Sequence, residues 1–237
     1  MIINCVWEHN GKDSILYAND FIGAFTRGAS KEEAILKMPE EIRRFQLWRN
    51  ETPLDDGDYN IEIVQEKKSN LQIGDADSDV LFTTEESSLS AEEYQYLKSL
   101  ALKSAEDFFA LYNSFPDKCK SDISFRKTFY GPVPRTAEEM YQHTKNANEY
   151  YFSEIGAEAD NEGTIVSCRA RGFEALESIP GYLLLETVTG SYDEPWSVRK
   201  VLRRFIWHDR IHAKAMYRMG KRTFGADVIP DIFGFDR

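Results

Sequence analysis

The spacing of apolar residues changes once along this chain, and that change constrains the fold more than any other feature. Over residues 1–66 the apolar residues form short runs with frequent alternation, a pattern typical of β-strands with one buried face. From residue 90 onward they recur at intervals of three and four, as expected for α-helices. The sequence therefore predicts an α+β protein with a sheet-rich first part and a helical second part.

Residues 1–66 contain four segments with strand character and one with helical character. MIINCVWEH and DSILYAND flank a turn signal at Asn10-Gly11, FIGAFTRGA follows, and DYNIEIVQE ends the unit. After the third extended segment, Ser30 and Glu33 have the spacing of a capping box that begins a helix. We therefore predict a small N-terminal domain with the order βββαβ.

Residues 67–89 are polar, acidic and rich in turn-forming residues. We predict that they form a linker, with a short strand at residues 80–82. The boundaries of the two folded parts are then residues 66 and 90.

Four helical segments follow over residues 90–237. Capping boxes at Ser90 and Thr136 begin the first two helices, and a third helical stretch covers about residues 164–178. The last helix is predicted to start near Pro195, because proline is favoured in the first helical turn. Four helices in a segment of this length predict a four-helix bundle.

Three of the four histidines fall on the apolar stripes of these helices. His208 and His212 lie four residues apart in WHDRIH, and His143 lies on the stripe of the second helix with Met140, Ala147, Tyr150 and Glu154. Three buried imidazoles without partners would cost several kcal/mol. A divalent metal that takes one nitrogen from each ring removes that cost, so the stripes predict a three-histidine metal site.

Neighbouring residues supply candidates for supporting roles and leave alternatives open. A metalloprotease needs the pattern HExxH, whereas Asp209 occupies the position of the glutamate here. The histidine pair could instead lie on the surface without a metal. Arg204 is a candidate to hold a substrate carboxylate, although the run from Arg199 to Arg204 is more simply interpreted as a solvated helix face. Asp209 and Glu154 are candidates to accept a hydrogen bond from an imidazole and so orient it.

Composition narrows the function classes. The chain has 237 residues and a net charge of −11, which argues against nucleic-acid partners and anionic membranes. No apolar run approaches the roughly 20 residues of a membrane span, and MIINCVWEHNGKD lacks the character of a signal peptide. The three scattered cysteines form neither a disulfide framework nor a metal-binding pair. We expect a cytoplasmic protein.

The helical part resembles the DinB/YfiT-like family of metal-dependent four-helix-bundle proteins. The resemblance rests on MYQHTKNANEYYFSEIG, which carries His143, and on EPWSVRKVLRRFIWHDRIHAKAMYRM, which carries His208 and His212. It covers residues 90 to about 225. It implies a divalent metal, commonly zinc or nickel, with open coordination positions, and a homodimer. Several relatives are thiol S-transferases, so the implied ligands are a low-molecular-weight thiol and a small-molecule electrophile.

The first part resembles a HicB-like antitoxin domain through YANDFIGAFTRGASKEEAI, over residues 1 to about 66. The chain shows no ribbon-helix-helix or helix-turn-helix after this module, so a packing or dimerisation role is an alternative to toxin pairing. Two function classes follow. One is a metal-dependent enzyme, for which a thiol S-transferase is the example. The other is a non-catalytic metal-binding regulatory or interaction protein whose HicB-like module docks a partner.

Overall fold

The computed structural model describes residues 1–53, 59–128 and 131–236. Its first part contains four strands, with one helix between the third and fourth: β1 (Ile2–His9), β2 (Ser14–Ala18), β3 (Phe25–Gly28), α1 (Lys31–Trp48) and β4 (Asn60–Lys68). The predicted βββαβ order is confirmed. Asp58, the first residue of the predicted fourth strand, lies outside the described residues.

The four strands form one sheet in the order β3-β2-β1-β4. β1 pairs antiparallel with β2, and β2 pairs antiparallel with β3, while β4 returns parallel to β1. A parallel return needs a crossover, and α1 provides it. Four apolar side chains on one face of α1 (Ala34, Met38, Ile42 and Phe45) are fully buried. The sheet therefore has one face covered by α1.

The second part contains four helices that pack on one another: α2 (Ala91–Asn113), α3 (Ala137–Ser153), α4 (Ile165–Glu177) and α5 (Val198–Phe224). Two hairpins of two-residue strands lie between them: β5 (Lys127–Thr128) with β6 (Gly131–Pro132), and β7 (Val188–Thr189) with β8 (Pro195–Trp196). The two capping boxes predicted for this part are present, at the starts of α2 and α3. The chain is thus a mixed α+β protein, as predicted.

The start of α5 differs from the prediction. Pro195 pairs with Thr189 in the β7–β8 hairpin instead of opening the helix. Ser197 is the N-cap, and its side chain accepts a hydrogen bond from the backbone N–H of Lys200. The serine side chain accepts from one of the first backbone N–H groups of the helix, which have no partner within the helix, so the helix begins at Val198.

Residues 67–89 are packed against the rest of the protein. β4 extends into this segment as far as Lys68, and short 3-10 helices follow at Ile73–Asp75 and Thr83–Glu85. The predicted strand at residues 80–82 is absent, since these residues pair with no other strand in the part of the chain that the structure describes. Their apolar side chains are nevertheless buried, with Val80 1% and Phe82 0% exposed.

This packing buries the basic run at the start of α5, which the sequence predicted to be a solvated face. Lys200, Arg203 and Arg204 are 0%, 1% and 6% exposed. Each donates a hydrogen bond to a backbone carbonyl of residues 78–80. The prediction was wrong because the covering segment lies more than one hundred residues away in sequence, where helical periodicity carries no information about it.

The main hydrophobic core continues from the sheet into the helices. It includes Ile3 and Phe45 from the first part and Ala101 and Phe205 from the second. The turn before β3 packs directly on α5: Gly23 has φ +106°, and a Cβ there would lie 2.3 Å from the side chain of Ile206. Only glycine permits that approach. That residues 1–66 and residues 90–237 fold independently of each other stays a prediction.

Candidate metal centre

The residues of WHDRIH contact different neighbours because α5 lies between the sheet and the other helices. Trp207 packs edge-on against Tyr17 and Phe25 of the sheet, with ring centroids 5.9 and 6.3 Å away. Arg210 donates a hydrogen bond of 2.8 Å to the carboxylate of Glu41 in α1. The sheet and α1 therefore cover one side of α5, and the two histidines lie on the side that meets α3.

The three histidines of the prediction come together between α3 and α5. The ring centroid of His143 lies 5.3 Å from that of His208 and 4.6 Å from that of His212. The Nε2 atoms of His208 and His212 are 3.1 Å apart. One nitrogen from each ring lies within 4.8 Å of the other two. Metal–nitrogen bonds of about 2.0–2.1 Å place tetrahedral ligand atoms roughly 3.3 Å apart, so the pair on α5 has nearly the required separation.

The site lies near the protein surface, at an edge of the helical part (the rim, formed by His143, His208 and His212). The sequence had predicted that all three imidazoles lie in the core. His143 is exposed, His212 is half-buried and only His208 is nearly covered, at 9% exposure. The buried face of α3 is centred on Thr144 and Asn148 instead of on the predicted stripe. Tyrosine, histidine and threonine are amphipathic, so the apolar pattern of α3 does not fix which of two adjacent faces is buried. The rim position gives solute access to the rings.

The surroundings hold the imidazoles in the neutral form. Desolvation by the surrounding protein atoms lowers the pKa of His143 and, together with the neighbouring histidines, lowers that of His208 well below its usual range. The same desolvation, followed by the charges of His143 and Arg27, lowers the pKa of His212 to about 3. A neutral imidazole has one nitrogen with a free lone pair, which is the form a metal requires. Three such rings fit a divalent ion.

Arg204 lies one helical turn before His208 but does not reach the rim. Its Nη2 donates hydrogen bonds to the carbonyl of Ser78, at 2.6 Å, and to the carboxylate of Glu194, at 2.8 Å. Its guanidinium also lies 5.4 Å from the ring centroid of Trp196. Arg204 is thus already bound to a carboxylate of the protein itself. No local pattern in the sequence indicated Glu194 as its partner.

Asp209 and Glu154 do not orient the imidazoles by hydrogen bonds. Asp209 is fully buried and accepts two hydrogen bonds of 3.1 Å from Arg169 of α4. Glu154 follows the end of α3 and accepts a hydrogen bond from the backbone N–H of Ser191. Among the described residues, neither carboxylate has a hydrogen bond to a histidine of the site. Asp209 instead links α5 to α4, and Glu154 links the end of α3 to the segment between β7 and β8.

Sequence analysis missed two residues next to the site. Tyr151 of α3 packs edge-on against His208, with ring centroids 5.8 Å apart. Arg169 holds Asp209, the residue after His208, and its guanidinium lies 3.8 Å from the ring centroid of Phe205. The sequence contained one signal for this ion pair: Arg169 stands at an apolar position of one predicted helix, and Asp209 stands on another.

Among the described residues, no helix combines the length and apolar character that a membrane crossing requires. The chain matches no protein-family model, no curated protein sequence and no solved structure at a significant level.

Proposed function

We propose that this protein is a divalent-metal-dependent enzyme whose ion is held by His143, His208 and His212. The observation that carries this proposal is the convergence of three imidazoles, one from α3 and two from α5, at a solvent-accessible rim. Zinc or nickel is the proposed metal, because imidazole nitrogen suits both. A structural site would have four protein ligands, whereas three leave a position for water or substrate.

The histidines and their surroundings have separate tasks in this proposal. The two rings on α5 are fixed by the helix, which is itself held by the Arg169–Asp209 ion pair directly beside His208. His143 on α3 completes the set from a second element. The bound ion would lower the pKa of a coordinated thiol or water so that the deprotonated nucleophile is available near neutral pH. No carboxylate base is needed at the rings.

A thiol S-transferase is the reaction we propose, with a low-molecular-weight thiol as the nucleophile and a small-molecule electrophile as its partner. We further propose that α2–α5 form a DinB-like four-helix bundle, that the first part is a HicB-like module, and that the protein is a homodimer. The mutual packing of α2–α5 supports the bundle, and the order of the N-terminal strands supports the HicB-like module. Light scattering on the purified protein tests the dimer.

Metal analysis tests the site. The protein should bind one zinc or nickel ion per chain, and His208→Ala or His212→Ala should lower the occupancy sharply at neutral pH. His9→Ala is the matched control, because His9 lies on β1 and contacts Trp7 and Glu66 instead of the site. Full occupancy in the double variant of His208 and His212 would refute the proposal.

Absorption spectroscopy tests the enzyme against the non-catalytic alternative. In the cobalt-substituted protein, a low-molecular-weight thiol should change the visible spectrum, and His212→Ala should abolish the change. A spectrum that no thiol alters, with the ion bound, would favour a regulatory protein whose N-terminal module docks a partner.

A further inference from the structure

A cavity lies between the N-terminal sheet and α5, beside the histidine rim. Its volume is about 540 Å³, and it is surrounded by β3, α1, α5 and the 3-10 helix Ile73–Asp75. Phe25 and Ile211 contribute apolar surface to its walls. Sites for small organic molecules typically have volumes of about 300–1,000 Å³, so the cavity is large enough for a molecule bigger than a single inorganic ion.

The charge of the cavity opposes that of the protein. Its walls include five basic residues, Arg27, Lys37, Arg44, Lys214 and Arg218, against three acidic ones, Asp13, Glu40 and Glu41. The whole chain carries a net charge of −11. A positive concave surface on an acidic protein concentrates the local field and attracts anions into the cavity.

Two of the arginines have hydrogen-bond donors to spare. Arg27 donates to the carbonyl of Gly74 at 3.2 Å, and neither Arg27 nor Arg218 forms an ion pair among the described residues. By contrast, Lys214 pairs with Glu41. Burial and the charge of Arg218 lower the pKa of Arg27, while the carboxylates of Asp75 and Asp13 act in the opposite direction. An anion in the cavity would add a further negative charge beside the guanidinium groups.

The cavity adjoins the histidines along α5. Ala215 lies three residues after His212 and four after Ile211, so it is a neighbour of both on the helix surface. Ala215 and Ile211 both line the cavity. A molecule in the cavity could therefore extend along α5 towards the rim.

We propose that this cavity binds the oxyanion group, a carboxylate or a phosphate, of the small molecule on which the histidine site acts. The planar guanidinium groups of Arg27 and Arg218 bind the oxyanion, since a guanidinium presents paired donors that match carboxylate and phosphate oxygens. Phe25 and Ile211 contact its carbon skeleton. This inference rests on the proposed function, and it gives the N-terminal module a role: β3 supplies Arg27 for substrate selection.

Calorimetric titration of the full-length protein at low ionic strength tests the cavity with three probes: inorganic phosphate, the tricarboxylate tricarballylate, and uncharged glycerol. At least one of the two anions should bind, and the tighter one identifies the preferred oxyanion. Arg27→Gln and Arg218→Gln should each weaken binding about tenfold or more, because each removes hydrogen bonds to a charged group. Arg222→Gln is the matched control: Arg222 is an exposed arginine on the same helix that pairs with Asp122. It should leave the affinity unchanged.

The metal variant separates this inference from the proposed function. His212→Ala should lose the metal and still bind the anion, because His212 does not line the cavity. Metal binding without anion binding would overturn only the cavity proposal. Anion binding that is equal in the Gln variants and in the unsubstituted protein, or equal for glycerol, would also overturn it.

Discussion

Removing the guanidinium of Arg203 should destabilise the protein strongly. Arg203 is 1% exposed and donates hydrogen bonds to both carboxylate oxygens of Glu85, itself 3% exposed. It also donates to the carbonyl of Val80 at 2.8 Å, and its guanidinium lies 4.0 Å from the ring centroid of Phe82. Arg203→Met keeps most of the aliphatic stem but leaves a buried carboxylate without its counter-charge.

The structure sets the size of the effect. Removing one member of a buried ion pair costs about 3–5 kcal/mol, because the remaining charge stays desolvated. For a chain of this length, each kcal/mol lowers Tm by about 2–4 °C, so we expect a fall of roughly 6–20 °C. Replacing both partners, as Arg203→Met with Glu85→Gln, should cost less than the sum of the single changes, since no buried charge is left alone.

Urea denaturation followed by circular dichroism measures these free energies of unfolding. Arg222→Met is the matched control, because the exposed Arg222–Asp122 pair should contribute no more than about 1 kcal/mol. Arg203→Met should also speed proteolysis within residues 67–89, which Arg203 holds. A loss below about 1 kcal/mol together with unchanged proteolysis would refute this account. It would instead support a detachable linker between residues 66 and 90.

Three further predictions concern the sheet and the metal. Gly23→Ala should destabilise the protein by about 2 kcal/mol or more, because the added Cβ meets Ile206. Gly11→Ala is the control: φ is also positive there but the space is open, so it measures the backbone strain alone. Equal losses of Tm in the two variants would exclude the clash. Burial raises the pKa of Glu8 to about 7, so the folded state keeps a proton that the unfolded state loses. The free energy of unfolding should therefore fall as pH rises from about 4.5 to 7, by roughly 3 kcal/mol at most. Urea midpoints at pH 5 and pH 8 should differ less in Glu8→Gln, and an unchanged difference would contradict the assignment. Zinc at about 100 times its Kd should add about 2.7 kcal/mol of stability that a chelator removes; a metal-independent Tm would argue against binding to the folded state.

Local signals in the sequence predicted local structure well. The capping boxes at Ser90 and Thr136 begin helices as expected, because a cap depends only on residues within one turn. In α2 the apolar residues that recur at intervals of three and four are buried, since they occupy a single face: Tyr94, Leu97, Ala101, Phe108 and Leu111. The closeness of the three histidines followed from spacing on two helices. Their exposure did not, because the amphipathic side chains of α3 leave its orientation open by one position.

Distant partners could not be predicted. Glu85 and Arg203 are separated by 118 positions, and Arg169 and Asp209 by 40. A buried arginine and a solvated one look alike in a sequence, because burial of a charge depends on a partner that only the tertiary structure supplies. The basic run of α5 was therefore assigned to the wrong environment. The cavity at Arg27 depends on the same kind of long-range juxtaposition.

The central position of α5 has a consequence for how the protein forms on the ribosome. The sheet, α1 and the other three helices are all synthesised before α5, yet each of these parts buries apolar surface against it or against its neighbours in the core. Until α5 emerges, the rings of Tyr17 and Phe25 lack the cover that Trp207 later gives them. Contacts this distant in sequence slow folding and leave partly folded intermediates with exposed hydrophobic surface, which makes them prone to aggregate. Nascent chains of this protein therefore depend on their last long helix to become compact, and a stall before it is translated leaves a client for chaperones.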